Sequence, residues 1–170
     1  MIFDDNGNLA GGIIKDKNLA DVYQHLVTPF ANSITRERNY NSLLSFLEDL
    51  KEDKQMISKI WLDGSFCTNK ENPNDIDMIV FIKPSLNGNV LLESISQNHA
   101  IMKENHLDIY PCFDKVHLNT NEFSNQIEFN QTFSQMDWQE KYWMGQFGFD
   151  RNQNHKAILE LMLDGGDTLG

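Results

Sequence analysis

The chain has 170 residues, 40% hydrophobic and 11% aromatic, a size and composition that suit one domain with one sizeable core. Its 14 Lys plus Arg against 25 Asp plus Glu give a formal net charge of −11, which excludes broad electrostatic attraction to nucleic acid or to an anionic membrane. No run approaches the roughly 18 consecutive apolar residues of a membrane helix, and the acidic start Met1-Ile2-Phe3-Asp4-Asp5 lacks the basic and long apolar regions of a secretion signal. A cytoplasmic protein is expected.

Asn6-Gly7, between Ile2-Phe3 and Leu9, predicts a tight turn joining two short extended pieces. Asn18 predicts a helix cap, followed by Leu19, Val22, Tyr23 and Leu26 at helical spacing and a break at Pro29. A second helix is expected from Arg36 to Asp53, with Tyr40, Leu43, Leu44, Leu47 and Leu50 as its apolar stripe and Glu48, Asp49, Glu52 and Asp53 on a solvated face. From Ile57 to Asp63 the period changes to that of a strand, which Gly64-Ser65 ends in a turn. After the turn signal Asn72-Pro73-Asn74, Asp75 to Ile82 reads as a central strand, apolar on both faces below its acidic tip. Leu86 to Asn105 has helical character, and Leu107 to Cys112 returns to strand, with Pro111 placing it near a sheet edge. Tyr142 to Phe149 and Lys156 to Leu163 are read as a hairpin across Arg151-Asn152-Gln153-Asn154, and residues 164–170 as a frayed tail.

The chemistry gathers around the second acidic strand. Asp75 and Asp77 are two apart, so on a strand both carboxylates face the same side and can reach one metal centre. Gly64-Ser65 ends the preceding strand; glycine lets phosphate oxygens approach the backbone, and the serine hydroxyl can hydrogen-bond one of them. The nine residues Phe66 to Asn74 are few enough to return the chain to an adjacent strand. Asp108, at the start of a later strand, is a third carboxylate. Three converging acids repel one another without a cation, and paired Mg²⁺ ions are the usual resolution in phosphoryl-type transfer.

Gly64-Ser65, nine residues, Asp75-x-Asp77 and a later strand aspartate resemble the minimal members of the DNA polymerase β-like nucleotidyltransferase superfamily. The resemblance implies that Asp75 and Asp77 hold metal and nucleotide phosphates and that Asp108 joins the metal or activates the acceptor. The longer string Gly64-Ser65-Phe66, Thr68, Lys70, Pro73 and Asp75-Ile76-Asp77 is similar to that of an uncharacterised bacterial family of this fold. Weaker echoes are Pro29-Phe30, Ser33 and Arg36 upstream and Phe147-Gly148, Asp150-Arg151 and Lys156 downstream, with Ala157 where that family carries glycine.

Other residues read more plainly. Asp63 is taken as a strand-end polar residue, the alternative being a carboxylate that supports the metal-holding acids, and Arg36, Lys70 and Lys156 as surface salt-bridge formers that could meet phosphate. The histidines show no metal spacing and are read as unrelated to catalysis. Trp61, Trp138 and Trp143 are read as core or interface rather than a base-stacking platform. Cys67 and Cys112 suit neither a disulfide framework nor a zinc site and are read as small strand-borne hydrophobes, although Cys67, near the acids, could be reactive.

The expected fold is α/β (α+β), a small mixed sheet flanked by helices, in one nucleotidyltransferase-like domain over residues 1–163. The expected activity is Mg²⁺- or Mn²⁺-dependent transfer of a nucleoside monophosphate from an NTP, ATP first among them, to a hydroxyl acceptor. That acceptor is a protein, an RNA or a small molecule, and no motif reads a particular base. The alternative is a binding or regulatory module of the same fold, with a protein partner and little or no turnover, such as one half of a toxin–antitoxin or phage-defence pair.

Overall fold

The structure is a computed structural model that describes residues 1–163; the expected tail lies outside the described residues. Phe3 and Leu9 pair across the turn at Asn6-Gly7, where Gly7 takes a positive φ of 78°. Strand β1 (Ile13–Lys17) follows, and it was not anticipated: its Ile-Ile-Lys-Asp-Lys run is too short and polar to show a strand period. Helix α1 (Leu19–Leu26) starts as expected, with the Asn18 side chain accepting from the Asp21 N–H and the Asp21 carboxylate accepting from the Asn18 N–H. Helix α2 (Arg36–Asp49) ends four residues short of Asp53, because Lys51, Glu52, Asp53 and Lys54 offer no apolar side chain to continue its stripe.

Strands β2 (Ile57–Asp63) and β3 (Ile76–Ile82) fall where the apolar runs predict, β3 starting one residue after Asp75. The helical stretch beyond Pro84 is two pieces, α3 (Leu86–Gln97), capped by Ser85, and α4 (His99–Glu104). Strand β4 (Leu107–Phe113) leads into a region that corrects the sequence reading: Gln126–Phe147 is one helix, α5, of 22 residues. Tyr142 to Phe147 is therefore its last turns and not a hairpin arm; Phe149 and His155 form an isolated bridge across the turn. Strand β5 (Ile158–Leu161) pairs instead with β1 and β2.

The five strands form one mixed sheet in the order β1-β5-β2-β3-β4. The pairs β1/β5 and β3/β4 are parallel, and β5/β2 and β2/β3 are antiparallel. Pro111 sits on the edge strand, where its missing N–H costs no ladder bond. One face of the sheet, with Ile60, Leu62, Met78, Val80 and Ile109, packs into the large core shared with Val22, Leu43 and Leu91 of α1, α2 and α3. The other, with Trp61, Ile79, Phe81 and Cys112, meets Trp143 and Phe147 of α5. Burial on both sides of β3 is the reason for its unbroken apolar run. Among the described residues no helix is long and apolar enough to cross a membrane.

Candidate functional site

Period-two alternation sets the site. On β2 and β3, Asp63 and Asp77 share the face of Trp61, Ile79 and Phe81, and Asp108 on β4 shares the face of Cys112. Register then aligns them: Asp63 pairs with Asp77 and Asp77 with Asp108 across three adjacent strands. They stand at the end of the sheet where β2 finishes and β3 and β4 begin, just beyond the cover of α5. Asp75, one residue before β3, and Gly64-Ser65, immediately after β2, border the same open cleft of about 630 Å³. The structure thus brings Asp75, Asp77, Asp108, Gly64 and Ser65 to one place. This volume lies within the range of small-molecule sites.

Gly64 has a reason beyond phosphate access. Its φ is +73°, and a Cβ there would collide with Oδ2 of Asp77, so the carboxylate is seated directly against the glycine. Burial, then the charges of Asp75 and Asp108, push the Asp77 carboxyl up to about 6. Asp108 is held below the ordinary carboxylate value: burial opposes ionisation, but hydrogen bonds from Lys103 and His99 outweigh it. Lys103 Nζ lies 2.6 Å from its Oδ2 and His99 Nε2 lies 2.8 Å from its Oδ1, so both oxygens are engaged. Among the described residues, no three His, Cys, Asp or Glu side chains stand together as a ready metal cage.

Several residues make contacts at the site that the sequence alone does not reveal. Asp63 is 2% exposed and is bound by the largely buried Lys156, whose Nζ lies 2.9 Å from Oδ2. Its Oδ1 has no hydrogen-bond partner, and burial, against the attraction of Lys156, pushes the carboxyl up to about 7. Lys156 is therefore no surface salt bridge. Neither is Arg36, which is fully buried over the Phe30 ring and donates five hydrogen bonds to the carbonyls of Leu26, Phe66, Thr68 and Lys70. It pins the loop that runs from the Gly64-Ser65 turn toward Asp75. His99 reaches Asp108 by a hydrogen bond, a contact that histidine spacing in the sequence does not reveal. Trp143, Tyr110 and Arg151 line the cleft as well. Only a correct α5 could have placed Trp143 there, whereas Tyr110 was findable, two residues after Asp108 on the same strand. Cys67 is fully buried and its thiol is pushed far up by burial, so it is not a reactive group.

A family model described as a family of unknown function, DUF6932, matches residues 1–162. No curated protein and no solved structure matches the chain.

Proposed function

This chain belongs to the DUF6932 family, and from its acidic cleft we propose that it is a metal-dependent nucleotidyltransferase. The observation that carries the reading is the in-register alignment of Asp77 with Asp108, with Asp75 and Gly64-Ser65 bordering the same cleft. Mg²⁺ or Mn²⁺ fits this donor set by charge, because Asp77 is raised by burial and then by the charges of Asp75 and Asp108, both of which a cation would offset. Asp75 and Asp77 would hold it, and Asp108 would join once Lys103 releases its oxygen. When bound, the metal supplies charge stabilisation at the phosphates.

The rest is the chain's own work. The Ser65 hydroxyl and the backbone N–H groups of the turn orient the outer phosphates of an NTP. The acceptor oxygen bonds to the α-phosphorus as the bond to pyrophosphate breaks, and the acceptor proton passes to Asp108. Pyrophosphate leaves.

A second reading, a nucleotide-binding or regulatory module with little turnover, draws support from the engagement of both Asp108 oxygens by Lys103 and His99. Incubation with each α-labelled NTP, Mg²⁺ and host lysate separates the two. Label should appear in a product, and Asp75→Asn, Asp77→Asn and Asp108→Asn should each lower transfer by at least ~10²-fold, the scale of losing a preorganised electrostatic partner. A parent that binds NTP but labels nothing turns the assignment to the binding module. Full rate in all three variants rejects the site.

A further inference from the structure

The cleft has a second wall that the transfer chemistry leaves unused. Beside Asp108 it is bounded by Tyr110 of β4 and, against that ring, by Trp143 near the end of α5. Three rings hold the Trp143 indole: Tyr110 at 4.7 Å between centroids and 37° between planes, Tyr142 at 5.2 Å and Phe147 at 5.7 Å. Phe147 is buried and packs with Trp61 and Ile158 against the sheet, whereas Trp143 is only half-buried and opens on the cleft. A ring fixed in orientation yet left open to a cavity is preorganised for a flat ligand.

Position ties this wall to the acids. Tyr110 lies two residues beyond Asp108 on the same face of β4, one pleat repeat of roughly 6.7 Å along the strand. The remainder of the cleft is strongly charged, with Asp63, Asp77 and Asp108 set among Lys70, Lys103 and Lys156. Trp143, Tyr110 and Gln146 give it an uncharged stretch, bordered by Asp150 and Arg151. A ligand matching both halves has a polyanion at one end and a neutral planar ring at the other.

Resting on the nucleotide reading above, we infer that Trp143 and Tyr110 form the base-binding subsite and that the substrate class is a purine nucleoside triphosphate. The larger purine face stacks over more of the indole than a pyrimidine does. Stacking accepts any base with a π face, so the wall selects ring size and leaves adenine and guanine nearly equal. The exposed stack of Trp138 on Tyr142 does not border the cleft and provides an internal control.

The test is calorimetric binding of ATP, CTP and inorganic tripolyphosphate to the full chain in Mg²⁺. Trp143→Leu should weaken ATP by roughly 10- to 100-fold, the stacking contribution of one base. It should weaken CTP less and leave tripolyphosphate unchanged, and Trp138→Leu should change none of the three. Unaltered ATP binding in a folded Trp143→Leu protein overturns the subsite, as does equal loss of ATP and tripolyphosphate. If Trp143→Leu does not fold, tryptophan emission decides: ATP but not tripolyphosphate should quench it in the Trp138→Phe protein, and absence of quenching overturns the inference. A parent that binds tripolyphosphate and ATP equally well removes the base subsite alone. A parent that binds neither removes the nucleotide reading beneath it.

Discussion

Asp77 is the residue on which the site turns, and its position has a measurable consequence. It is seated against Gly64, pairs in register with Asp63 and Asp108, and has its carboxyl raised to about 6 from an ordinary 3.8. The folded state holds this proton more tightly than the unfolded chain does. Its contribution to stability is therefore greatest below about pH 4 and is lost as pH rises through about 6. Asp77→Asn removes a charge that burial and like neighbours disfavour while keeping the side chain's shape. Without metal, the variant should exceed the parent in stability at pH 7 by on the order of 1–3 kcal/mol, with the difference vanishing near pH 4. Urea unfolding at pH 4, 5.5 and 7 measures it. A parent and variant separated by a constant amount across that range would show that Asp77 is not the strained acid. The motif Asp75-Ile76-Asp77 was legible because alternation alone puts two acids on one face; the load on Asp77 was not, since it comes from β2, β4 and the glycine beneath it.

Among the connecting segments, the loop after Gly64-Ser65 contributes Thr68 and Lys70 to the cleft, and Arg36 of α2 holds it in place. Burial lowers the Arg36 pKa to about 10, still far above neutrality, so its guanidinium stays charged while serving backbone carbonyls from two stretches of chain, Leu26 and the loop from Phe66 to Lys70. Arg36→Met keeps most of the volume and leaves those carbonyls without donors. It should cost about 3 kcal/mol or more, since each buried acceptor left unsatisfied costs about 1–3 kcal/mol. The same variant should speed amide exchange at Leu9 and Asn69, whose N–H groups donate to Cys67 and Gly7 across this loop. Wild-type exchange at both amides would mean that the loop holds itself. Helix α5 shows the opposite kind of legibility. Phe129, Phe133, Met136, Trp143 and Phe147 follow a helical spacing, but Glu140 interrupts the stripe, bound in place by Lys59 and Lys115. A charge inside an apolar pattern conceals the period until its partners, distant in sequence, are known.

At the scale of the molecule, a net charge of −11 makes the acidic cleft one part of a self-repelling surface. Any added salt relieves that repulsion, so a metal effect must be sought at constant ionic strength. Under that condition Mg²⁺ or Mn²⁺ should raise the parent's melting temperature, with stabilisation near 2.7 kcal/mol when the ion is at about 100 times its dissociation constant. Asp75→Asn and Asp77→Asn should abolish most of the gain. Lys103→Ala should enlarge it, because Asp108 loses the ammonium that competes with the ion. A parent whose melting curve ignores millimolar metal, with and without NTP, would remove the cation from the site.

What the sequence determined by itself was local. The capped start of α1, the apolar runs of β2, β3 and β4, and the turns at Gly64 and Pro73 follow from side-chain period and backbone preference within a few residues. The candidate acids were legible on the same ground, each standing at the tip of a strand that its neighbours define. Only the tertiary structure decided which side chains share the cleft with them. Lys156 arrives beside Asp63 because β5 pairs with β2, and Trp143 arrives beside Tyr110 because α5 lies over the far face of the sheet. Lys103 and His99 come to Asp108 because α4 packs back on β4. Pairings of this kind join segments with no common period or motif, and the free energy that selects them, from burial and charge matching, exists only once the chain has closed.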